Sequence, residues 1–201
     1  GQTNLSGDMI MSGGEYDQNN GDVNFSGDVI LTGGDFSIAG GSSTLDIAGS
    51  FNHNTGSATV LLDAGTITVP NIYVASGNVF NVEDVNINSS GTTELDGTML
   101  IKATGGTKTY GDIQVNPSGT WSVTQNEGFT ITGDIVNNGT FNGSPTYGSA
   151  TYNLTSTSGT ISGTGTVNIR NLLINSSASI TNLGVLAIAN SFNGSGTFVN
   201  G

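Results

Sequence analysis

The chain has 201 residues, of which 34% are apolar and only 9% charged, with 32 glycines, 3 prolines, no cysteine and a net charge of −12. Its three basic residues, Lys102, Lys108 and Arg170, form no cluster, which argues against nucleic acid or an anionic membrane surface as partner. The absence of cysteine removes disulfides and thiolate chemistry, and no apolar run approaches the roughly 18 residues of a membrane-spanning helix.

The N-terminal phrase NLSGDMIMSGGEYD (Asn4 to Asp17) returns 20 residues later as NFSGDVILTGGDFS (Asn24 to Ser37), with seven of 14 positions identical. Self-similarity at a fixed period of this size marks a solenoid, in which each unit buries its apolar edge against its neighbours. Inside the unit, Val23 and Phe25, Val29 and Leu31, Phe36 and Ile38, and Leu45 and Ile47 each lie two apart. That is the spacing of side chains on one face of a short strand, and glycine separates the pairs. The pattern predicts an all-β, right-handed parallel β-helix with three short strands per turn, about 20 residues per turn and about ten turns. Phe25, Val29, Leu31, Phe36, Ile38, Leu45 and Ile47 are expected to point inward. A second echo pairs GTITVPNIYVAS (Gly65 to Ser76) with GTVNIRNLLINS (Gly165 to Ser176), an offset of 100 that equals five units of 20. The whole of 1–201 reads as one β-helix segment. Starting at Gly1 instead of Met and ending at Gly201 within a repeat-like phrase, it is expected to be a fragment or processed part of a larger surface protein.

Candidate chemistry is sparse, and no catalytic, cofactor-binding or metal-binding residue is assigned. His53, the single histidine, has no second histidine or cysteine with which to bind zinc and is expected at a polar corner. Glycoside hydrolysis needs two carboxylates about 5 to 10 Å apart in a groove. A lyase needs a basic residue to abstract a proton, and the counterpart of Arg170 one hundred residues earlier is Pro70. Enzymatic activity is therefore not expected. Thr66/Thr68 and Thr130/Thr132 are Thr-x-Thr pairs of the kind that ice-binding faces repeat, but they do not recur at the repeat period. Tyr73, Tyr110, Trp121 and Tyr152 are either core residues or platforms on which sugar rings could stack. The Asn-x-Ser/Thr triplets at Asn4, Asn24, Asn88, Asn138 and Asn153 follow from composition alone.

Gly-Asp recurs ahead of apolar alternation at Asp8, Asp28, Asp112 and Asp134. The favoured reading is a corner where glycine takes an unusual backbone angle and the aspartate caps local N–H groups. At a period of 20, Asp8 stacks under Asp28 and Glu15 under Asp35, so calcium held between stacked carboxylates is the alternative. The nine-residue calcium-binding repeat is absent.

The phrases NNGTF (Asn137 to Phe141), GTGTVNIRNLLINSS (Gly163 to Ser177) and SFNGSGTF (Ser191 to Phe198) give the chain its family likeness. It resembles the β-strand-repeat surface proteins exported by the type IX secretion system, a group that includes large gliding-motility adhesins. That resemblance implies an extracellular or cell-surface stalk, filament subunit or adhesin segment, exported within a larger precursor, and transfers no functional residue. An uncapped β-helix exposes strand edges that pair with another chain, so the expected partners are neighbouring domains or copies of the chain stacked end to end, with surface glycans as a secondary alternative. Carbohydrate-binding, carbohydrate-degrading and ice-binding β-helices are the alternatives.

Overall fold

The computed structural model describes residues 1–56, 58–102, 105–143 and 149–201. Among them are 23 strands and no helix, and every strand pairing is parallel. The strands wind into a β-solenoid of about 9 turns with roughly 21 residues per turn, which at a spacing of about 4.8 Å gives a rod about 40 Å long.

Each coil contributes to three columns of strands. Gln2–Leu5 lies under Gly21–Phe25, Ser43–Ile47 and Thr66–Val69 in the first column. Val29–Ile38 turns a corner: its first half pairs with Ser50–His53 in the second column and its second half with Ala58–Leu62 in the third. Inward and outward residues alternate because successive side chains of a strand leave opposite faces. Val, Ile and Thr suit such strands since their branched side chains pack well on a pleated surface. Phe25, Val29, Leu31, Phe36, Ile38, Leu45 and Ile47 are all buried, as their spacing predicts.

The period is not constant. Twenty residues separate Leu5 from its partner Phe25, 22 separate Val29 from Phe51, and 26 separate Ile135 from Ile161. Parallel pairing fixes only the strands, so the corners absorb the insertions. This corrects the reading of the second echo. Five coils carry Ile67 through Ile87, Lys108, Phe129 and Tyr152 to Leu172, a distance of 105 residues instead of 100. The two echo phrases therefore start on different columns: Thr66–Val69 lies in the first, whereas the first half of Thr166–Ile174 stacks on Thr140–Gly143 in the third. Similar wording reports a shared strand-corner-strand grammar, and the phase around the axis has slipped by one strand.

One apolar core runs the length of the rod, with two aromatic piles in it. Tyr16 stacks on Phe36 at 4.7 Å, and Phe36, Phe51 and Phe80 follow edge to face at 5.0 and 5.1 Å. Further along, Tyr110, Trp121, Phe129, Phe141 and Tyr152 make contacts of 4.6 to 5.9 Å. Such pairs add about 1 kcal/mol each beyond the area they bury. In the end coils, inward residues have a neighbour on one side only, so Leu5 and Phe192 are exposed although their partners Phe25 and Leu172 are buried.

Candidate functional site

The Gly-Asp corners form a rail along one edge of the rod. Asp8, Asp28, Ser50, Asn71, Thr92, Asp112, Asp134 and Thr160 occupy successive coils at the junction of the first and second columns. Wherever this position is Asp or Asn, its Oδ1 accepts the backbone N–H of the residue one coil later. Asp8 accepts from Asp28 at 2.9 Å, Asp28 from Ser50 at 2.7 Å and Asn71 from Thr92 at 3.0 Å. Asp112 accepts from Asp134 at 2.8 Å and Asp134 from Thr160 at 2.7 Å. The caps are thus axial and bridge neighbouring coils; the expectation of a purely local cap is corrected.

The role of the glycine changes with it. Gly7 has a positive φ of 87°, but Gly27 and Gly133 do not. A Cβ on Gly27 would overlap Asp8 Oδ1, and one on Gly133 would overlap Asp112 Oδ1. These glycines serve close approach: each leaves room for the carboxylate rising from the coil below. Glu15 does stack under Asp35. Among the described residues no group of three or more His, Asp or Glu side chains is arranged to hold a metal ion.

His53 is not at a corner. It ends the strand Ser50–His53 with its side chain fully buried between Leu31 and Val74. Nε2 lies 2.9 Å from the Ala58 carbonyl, and burial holds the ring's pKa below the usual histidine value, with that backbone contact opposing. Tyr110, Trp121 and Tyr152 are also fully buried, so they belong to the core and offer no sugar platform. Trp121 donates Nε1–H to the Tyr152 hydroxyl at 2.9 Å. Tyr73 faces outward, half-buried, and donates to Asp96 at 2.9 Å.

Thr68 and Thr130 share one outward column, whose order is Asn4, Asn24, Asp46, Thr68, Asn88, Thr109, Thr130, Asn153. Four of the five Asn-x-Ser/Thr asparagines stand in it. Asparagine and aspartate interrupt the hydroxyls, and Thr132 lies past the end of its strand, Gly128–Ile131.

The chemically most unusual place is a recess of about 460 Å³ beside the first column, lined in part by Lys108, Glu127, Gly128, Phe129, Thr130 and Asn153. Lys108 occupies an inward position that Ile87 fills one coil below and Phe129 one coil above. Its side chain is fully buried, and Nζ donates to the carbonyls of Val85 at 2.8 Å and Gly105 at 2.6 Å. Glu127 is buried beside it, with Oε2 3.3 Å from Nζ and Oε1 accepting the Gly128 N–H at 2.8 Å. Burial lowers the Lys108 pKa and raises that of Glu127; their mutual attraction opposes both shifts. The site is an amine and a carboxyl group held together away from water, equipped for proton exchange or for chemistry between the two. Among the described residues lining the recess, Glu127 is the only carboxylate. Sequence reading missed this pair, although a lysine at an inward step of the alternation Lys108, Tyr110 was the available signal.

No family model, no curated protein sequence and no solved structure matches the chain.

Proposed function

We propose that the chain is a structural or adhesive segment of a secreted surface protein, working as a stiff rod and not as an enzyme. The observation that carries this reading is the single parallel ladder that continues through about 9 turns over one core. Bending such a rod would break inter-coil hydrogen bonds on one side and compress packed side chains on the other. Function then lies in length, stiffness and the repeated outer faces. The sequence resemblance to type IX-exported β-strand-repeat proteins supports the extracellular location and the larger precursor in this reading. Leu5 and Phe192, at inward steps of the two end coils, are exposed, which favours partners that stack on those coils: neighbouring domains or further copies.

Immunogold electron microscopy of producing cells tests the reading. Label on intact cells, on rods or filaments that project from the envelope, is expected. Label that appears only in permeabilised cells would overturn it. Sugar release from polysaccharides by the purified chain would move the assignment to the carbohydrate-degrading alternative.

A further inference from the structure

We propose that Lys108 and Glu127 become joined inside the folded protein by an isopeptide bond between Nζ and Cδ, a covalent staple between adjacent coils. Three features of the recess carry it. The reacting groups are in contact, with Nζ 3.3 Å from Oε2. The amine is oriented, because the Val85 and Gly105 carbonyls accept two N–H bonds. Once the ammonium has passed a proton to the carboxylate, a neutral amine has only those two N–H groups, and its lone pair takes the remaining direction, toward Glu127. The carboxyl group is activated, because the Gly128 N–H that bonds Oε1 stands where negative charge develops during addition.

The step balances without any further reactant. The Nζ lone pair adds to Cδ, and the electron pair of the Cδ–Oε1 π bond moves to Oε1. Collapse re-forms that carbonyl and breaks Cδ–Oε2. Oε2 leaves as water, carrying the acid proton and one proton from Nζ. The amide nitrogen keeps one hydrogen for a backbone carbonyl. Condensation is disfavoured in bulk water but favoured where water is excluded, and both side chains are almost wholly buried. Burial also favours the two neutral, reactive forms over the ion pair. The other ionisable groups coupled to the pair are Asp84 and the buried phenols of Tyr110 and Tyr152. The Tyr110 hydroxyl is buried and has no hydrogen-bond partner among the described residues. The inference holds whether or not the rod is displayed at a cell surface.

Intact mass under denaturing conditions, followed by tryptic mapping, decides the matter on the purified folded chain. The expected mass is lower than that of the sequence by one water. Lys102, Lys108 and Arg170 are the only tryptic sites, so cleavage after Lys108 should disappear and residues 103–170 should stay together as one peptide. Mapping is needed because dehydration at Asp96-Gly97 would change the mass equally. Lys108→Arg and Glu127→Ala should each restore the sequence mass. The wild-type digest decides even if neither variant folds: full sequence mass, with cleavage after Lys108, would overturn the proposal and leave a buried ion pair.

Discussion

The Asp28 carboxylate accepts the backbone N–H of Ser50, one coil above, at 2.7 Å, and Gly49 immediately before Ser50 lacks the Cβ that would overlap that same oxygen. The Gly-Asp step therefore faces two ways: aspartate caps the coil above, and glycine admits the cap from the coil below. Replacing Asp28 with Ala should lower stability by about 1.5 to 3 kcal/mol, the worth of a hydrogen bond to a charged acceptor. Asp28→Asn should cost much less, since Asn71 makes the same bond farther along the rail. Urea denaturation of the three proteins checks this; equal losses for Ala and Asn would remove the cap from the account.

The same geometry makes Gly133→Ala destabilising through overlap with Asp112 Oδ1 and not through backbone angle. Truncating the partner should relieve it, so Asp112→Ala combined with Gly133→Ala should lose less than the sum of the two single changes. A double-mutant cycle measures the coupling. Strict additivity would mean that the glycine is needed for another reason.

His53 should make stability depend on pH. Its folded pKa lies below the ordinary 6.5 because burial disfavours the charged ring. The unfolded chain then binds the proton more readily, so stability is full above about pH 6.5 and falls as pH drops from there toward the folded pKa. His53→Leu should flatten that part of the profile. Melting temperatures between neutral pH and about pH 5 give the comparison, and an unchanged slope in the variant would assign the effect elsewhere.

Tyr152→Phe should cost about 1 to 3 kcal/mol, because it strands the buried Trp121 Nε1–H that now donates to the Tyr152 hydroxyl. Trp121 is the only tryptophan, so its fluorescence reports both unfolding and any admission of water. A variant as stable as the parent would show that water or a rearranged neighbour replaces the bond.

Much of this was legible in the residues alone. Alternation at a spacing of two separates inside from outside in any strand, and the match between Asn4–Asp17 and Asn24–Ser37 reports stacked coils directly; both are local patterns. Three columns, parallel pairing and the seven inward residues of the early turns follow from them. What required the tertiary structure is whatever depends on the number of residues between partners. The period varies between 18 and 26 residues, so the distant echo points to the wrong column. The aspartate cap has its partner 22 residues away at Ser50, and the neighbour of Lys108 is Glu127, 19 residues away. His53 and Lys108 sit at inward steps of the alternation, yet a polar side chain inside a strand becomes interpretable only when the carbonyls of Ala58, Val85 and Gly105 that receive its hydrogen bonds are known. Strand grammar is short-range and survives in sequence, whereas the satisfaction of buried polar groups is decided by which coil happens to lie above and below.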